Sequence, residues 1–81
     1  MVFYSYDYRV AGHMTWKDVN YLARQNGGSL DTHYKSKAPA AQDTRWVFTD
    51  ENGYGAFVRS VERKHMTFKA DPESLSAVVW F

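Results

Sequence analysis

Met14-Thr15-Trp16-Lys17-Asp18-Val19-Asn20-Tyr21-Leu22-Ala23-Arg24-Gln25-Asn26-Gly27-Gly28 is the stretch on which the fold assignment turns. Thr15 carries the side-chain oxygen an N-cap needs, and Asp18, three residues on, completes an approximate capping box. Met14 and Val19 fall at the N′ and N4 positions of a hydrophobic staple. Trp16, Val19, Leu22 and Ala23 recur at helical spacing, while Lys17, Asn20, Arg24 and Gln25 are polar. Asn26-Gly27-Gly28 supplies a residue able to enter the left-handed region and stop the helix. An amphipathic helix is therefore expected over 15–26.

Upstream, Val2, Tyr4, Tyr6, Tyr8 and Val10 alternate with Phe3, Ser5, Asp7 and Arg9, which predicts a strand over 2–10. Downstream, Ser29 to Tyr34 reads as a short strand, and 35–43, small, polar and interrupted by Pro39, reads as a mobile surface loop. Arg45 to Thr49 reads as a strand and Asp50-Glu51-Asn52-Gly53 as a tight turn, with Tyr54 to Glu62 as the antiparallel partner strand. Arg63-Lys64-His65 is read as a second turn before a strand from Met66 to Ala70. Asp71-Pro72-Glu73-Ser74-Leu75, with Pro at the N1 position, is expected to make one helical turn. Ser76 to Phe81 closes the chain as a buried strand. The sum is a single α+β domain over 1–81, one amphipathic helix packed on a mostly antiparallel four- to five-stranded sheet. One helix cannot cover both faces of such a sheet, so part of the aromatic surplus is expected to serve a partner.

Composition narrows the class. The chain has 81 residues, 44% hydrophobic and 17% aromatic, a content that argues against disorder. A domain this small buries only about 60–65% of its unfolded surface, so each aromatic side chain, at roughly 150–250 Å², counts heavily. There is no cysteine, hence no disulfide and no thiolate metal site. Met1 to Asp7 has neither the basic nor the apolar region of a signal peptide, and the longest apolar run, Ala77 to Phe81, is far short of the ~20 residues of a membrane span. A cytoplasmic location and no membrane partner are expected. Ten basic against nine acidic side chains, net charge +1, exclude a strongly acidic nucleic-acid mimic and disfavour a strongly basic binder.

No motif carries chemistry. Asp31-x-His33 offers at most two metal ligands, His13 and His65 stand apart from it, and there is no HExxH, so no metal is expected. There is no cysteine nucleophile and no Gly-x-Ser-x-Gly elbow, and Gly27-Gly28 follows a helix where a phosphate loop would precede one. No cofactor, no catalytic residue and no enzyme activity are expected; an enzyme built on His33 or His65 would need a bell-shaped pH–rate profile that either substitution abolishes. Two features remain for binding. Arg59, Arg63, Lys64 and Lys69 cluster in sequence around His65, and Lys35 and Lys37 decorate the Pro39 loop. The tyrosine stripe of 2–10 serves either the core or base stacking on an open sheet face.

The leading expectation is a protein-binding module, an inhibitor or adaptor that blocks a larger protein or nucleoprotein complex through Lys35, Lys37, Tyr54, Arg59, Arg63, Lys64 and Lys69. In type the chain resembles small phage- or mobile-element-encoded inhibitors, anti-CRISPR proteins among them; no shared motif carries that resemblance. The alternative is a nucleic-acid-binding domain using Arg59, Arg63, Lys64 and Lys69 for phosphates and tyrosines for stacking. An open C-terminal strand, Ala77 to Phe81, would also allow a homodimer.

Overall fold

The computed structural model describes residues 14–36 and 43–81. Its elements run α1 (Trp16–Gln25), β1 (Gly28–Leu30), β2 (Asp43–Phe48), α2 (Glu51–Arg63), β3 (Thr67–Asp71) and β4 (Ser76–Trp80). The strand expected over 2–10, with its tyrosine stripe, and positions 37–42 of the expected loop lie outside the described residues. The α+β class holds, with all strand pairs antiparallel.

The first helix forms as its sequence dictates. Thr15 Oγ1 accepts the Asp18 N–H at 3.3 Å, and Asp18 Oδ2 accepts the Thr15 N–H at 3.0 Å, closing the capping box. That pair of bonds satisfies donors the helix itself leaves orphaned. Hydrogen bonding to Thr15 also holds the Asp18 carboxyl below the usual carboxylate range, with Lys64 adding a smaller favourable charge. Met14 and Val19 both enter the core, and Gly27 takes φ 79° just past the Asn26 cap. Trp16 departs from the expected stripe: it is 43% exposed, with its ring leaning on Trp46 at 6.0 Å between centroids.

The segment expected as a hairpin is a helix. Asp50, read as the start of a turn, is an N-cap whose carboxylate accepts the Gly53 N–H at 2.8 Å. Tyr54, Phe57 and Val61 fall at helical spacing and are buried, with Val58 packed beside them. Nothing in 54–62 alternates with a period of two, and the recurrence of apolar residues at intervals of three and four outweighs the poor helix propensity of Gly53 and Gly55. Among the described residues two helices, rather than one, therefore cover the sheet.

The strands lie in the order β1-β2-β4-β3. β2 leads through α2 to β3, and the chain returns through 72–75 so that β4 inserts between β2 and β3. The turn at 72–75 carries two successive i→i+3 bonds, Ser74 N–H to Asp71 O and Leu75 N–H to Pro72 O, both 3.3 Å, with Leu75 at φ 52°. β4 is thus the buried strand expected. It is paired along both sides, which removes the homodimer expected through an open edge at 77–81.

Register assigns the two faces. On β2, Trp46 and Phe48 point one way, and their cross-strand partners Ala77, Gly28 and Leu30 share that side. α1 reaches this face at Trp46; α2 reaches it at Phe48, whose ring meets Tyr54 at 5.7 Å and Phe57 at 4.7 Å. Both helices consequently lie on one side of the sheet, around a core in which Val19, Trp46, Phe57, Val61 and Val79 are fully buried. Asp43, Arg45, Val47, Ser76, Val78, Trp80, Thr67, Lys69 and Asp71 face the other way, because side chains on a strand alternate.

Candidate functional site

The face of the sheet opposite both described helices, helix-free among the described residues, is built as three cross-strand rows. Val47, Ser76 and Asp71 make one, Arg45, Val78 and Lys69 the next, and Asp43, Trp80 and Thr67 the third. With strands about 4.8 Å apart, the Arg45 and Lys69 backbones stand roughly 10 Å from each other with Val78 between them. Tyr34, Arg45, Lys69, Ala70, Asp71, Ser76 and Val78 line a cleft of about 490 Å³ on this face. That volume is in the range of small-molecule and side-chain pockets.

A chain of polar contacts crosses the face. Arg45 Nη1 donates to Asp31 Oδ2 at 2.6 Å and Arg45 Nη2 donates to Ser76 Oγ at 3.1 Å. Ser74 Oγ donates to Asp71 Oδ2 at 2.9 Å, so the 2.7 Å contact between the two serine hydroxyls has Ser76 as donor. Ser76 is 2% exposed, and burying a hydroxyl is tolerated only when it is bonded in this way. Asp31, at the end of β1, also accepts the His33 backbone N–H at 3.0 Å. The Arg45 guanidinium and that N–H hold the Asp31 carboxyl below its usual range. Asp31-x-His33 is therefore an Asp-capped turn locked to Arg45.

Beside it, the Tyr34 hydroxyl donates to Asp43 Oδ2 at 2.5 Å. Ser36 and Tyr34 lower the Asp43 carboxyl, and the Asp43 bond and burial raise the Tyr34 phenol. Tyr34 and Asp43 stand on either side of positions 37–42, so this bond joins the described residues that flank them.

The sequence-predicted binding residues are dispersed. Lys35 is exposed; Lys37 lies outside the described residues. Arg59 and Arg63 are exposed one turn apart on α2, and Lys64 caps its C-terminus near the start of α1. Lys69 points to the opposite side, into the cleft. The basic cluster of the linear sequence is thus split between the two faces of the sheet. Tyr54 belongs to the core: it is 7% exposed, packs edge-on against Phe48, and donates its hydroxyl to the Ser76 carbonyl at 2.9 Å. Burial raises its phenol, and its expected place on a contact surface is corrected.

Sequence reasoning did not find Tyr34, Arg45, Val47, Ser76, Val78 or Trp80. The alternation Asp43-Arg45-Val47 was visible, but which strand lies beside which is not written in local pattern. Among the described residues no cluster of three or more His, Asp or Glu side chains is arranged to hold a metal, and no helix is long and apolar enough to cross a membrane. No protein-family model, curated protein or solved structure matches this chain.

Proposed function

We propose that this protein is a small binding module that acts as an inhibitor or adaptor by covering part of a larger protein, with the helix-free sheet face as its contact surface. The observation that carries this reading is that both helices lie on one side of the sheet, while the other side carries Val47, Val78 and Trp80 with no described element over them. An apolar centre edged by Tyr34, Arg45, Lys69 and Asp71 has the anatomy of a protein contact, where aromatic residues and Arg supply most of the binding energy. The surface is also prearranged. Arg45 is held by Asp31 and Ser76, and β4 is bonded on both sides, so little ordering cost accompanies binding. The absence of cysteine suits a cytoplasmic target. Small size without a cofactor motif is the character of phage- or mobile-element inhibitors of host machinery, the form in which a blocking role would be expected.

Affinity capture from a host lysate, with and without nuclease, tests the reading. Wild type and Arg63→Glu, on the helix side, should retain a stoichiometric protein that survives nuclease, and Val78→Arg, folded by circular dichroism, should lose it. Capture unaffected by Val78→Arg would refute the placement. Recovery of nucleic acid, with protein lost after nuclease, would favour a phosphate-binding role for Arg59, Arg63 and Lys64 on the helix side.

A further inference from the structure

One row of the sheet shapes the cleft. Arg45 on β2 and Lys69 on β3 flank Val78 of β4, and all three residues line the cavity. Roughly 10 Å separates the two flanking backbones, a gap that two long side chains can close over the valine. The volume of about 490 Å³ has room for a side chain of a partner.

The polar groups of the wall differ in what they have left to donate. Tyr34 gives its proton to Asp43, and Ser76 gives its own to Ser74, so neither hydroxyl can serve an acceptor on a ligand. Arg45 is fixed by its bonds to Asp31 and Ser76, which leave further guanidinium N–H groups unused among the described residues. Lys69 makes neither a hydrogen bond nor an ion pair with any described residue. The lining thus holds two cations against one carboxylate, Asp71, which accepts the Ser74 hydroxyl and stands in the next row beside Ser76. Donors are in surplus, and an aliphatic side chain lies between them.

Such a lining matches one carboxylate on a short aliphatic stem. Arg meets a carboxylate in its own plane, Lys adds a point charge, and both bonds are charge-assisted. A phosphate, with a charge of about −1.5 to −2, would meet stronger repulsion from Asp71 than a singly charged carboxylate does. Arg45 is already held in place, so little ordering cost falls on it when the ligand arrives. We infer that the cleft receives one Glu or Asp side chain of the protein partner, bound between Arg45 and Lys69 with its stem on Val78. The inference rests on the reading of this face as a protein contact surface and adds the chemistry of what that surface grips.

NMR titration of the isotope-labelled chain with N-acetylglutamate N-methylamide tests it with no partner in hand. Saturable shifts should centre on Arg45, Lys69 and Val78, with a dissociation constant on the order of 10 mM, the strength one charge-assisted contact allows. The glutamine counterpart of the probe should bind about fivefold more weakly or worse, and so should the glutamate probe to Lys69→Met, while Lys69→Arg should keep most of the affinity. Shifts of equal size at Arg59, Arg63 and Lys64 would overturn the inference, because carboxylates would then merely gather at any exposed cation. Equal binding of the glutamine probe or of inorganic phosphate, or indifference to Lys69→Met, would overturn it as well. In capture from a lysate, Lys69→Met, folded by circular dichroism, should retain about a fifth or less of the protein that wild type holds. Full capture by Lys69→Met beside loss by Val78→Arg would overturn the carboxylate and leave the contact face standing. Capture indifferent to both would remove the contact face and this inference with it.

Discussion

Gly53 and Gly55 lie two residues apart in α2, and replacing each with alanine should move stability in opposite directions. Helix propensity favours alanine over glycine by about 1 kcal/mol at either position. At Gly55 the added Cβ would meet only Arg59 Nη1, at 3.4 Å, the free end of a flexible side chain that swings aside. Gly55→Ala should therefore gain about 0.5–1 kcal/mol and raise Tm by roughly 3–6 °C. At Gly53 the Cβ would stand 2.0 Å from the Asn26 carbonyl oxygen and 3.0 Å from its carbon. Those atoms are backbone, and Asn26 is the cap of α1, its N–H bonded to the carbonyls of Ala23 and Arg24. The helices must separate there by about an ångström, and overpacking of that kind costs about 1–3 kcal/mol or more, enough to outweigh the propensity gain. A net loss near 2 kcal/mol would lower Tm by roughly 8–16 °C. Thermal melts by far-UV circular dichroism and urea unfolding by tryptophan fluorescence measure both. A Gly53→Ala protein as stable as wild type would show that α1 and α2 do not meet at Asn26. Destabilisation by Gly55→Ala would refute the helical assignment itself, since a strand draws no comparable benefit from alanine.

Three further outcomes follow from contacts already described. Tyr54→Phe keeps the ring against Phe48 but leaves the Ser76 carbonyl without its donor, and should cost about 1–2 kcal/mol in urea unfolding. Asp50→Ala removes the cap of α2 and should cost about 1 kcal/mol, whereas Asp50→Asn should recover most of it. The Asp31 carboxyl titrates below its ordinary 3.8 in the folded protein, so its contribution to stability is present above that value and is lost as pH falls through the lower folded one. Asp31→Asn should accordingly flatten the acid limb of a stability–pH profile below about pH 4; an unchanged limb would mean the Arg45 pairing does not persist in solution.

What could be read without the structure was local. Thr15, Asp18, Met14, Val19 and Gly27 state the first helix almost completely, because capping and αL termination depend on residues within five positions of each other. β2 and β4 were legible from β-branched and aromatic runs, whereas 71–75, expected as one helical turn, is a hydrogen-bonded turn that joins β3 to β4. The error at 50–62 came from letting one dipeptide, Asn52-Gly53, decide a segment whose Tyr54, Phe57, Val58 and Val61 spacing is helical. Gly53 is there because α1 passes too close for a side chain, a reason invisible in its neighbours.

Which face of the sheet the two described helices cover was decided by tertiary structure alone. Lys69 and Arg63 are six residues apart in the chain yet lie on opposite sides of the sheet, while Arg45 and Ser76, 31 positions apart, share a hydrogen bond. Insertion of β4 between β2 and β3 produces both outcomes, turning an apparent terminal edge into a strand paired on both sides. Periodicity determines that a residue is on one face or the other; only the packing of both helices against Trp46 and Phe48 determines which face is buried, because that choice follows from long-range burial of apolar area that no local window contains.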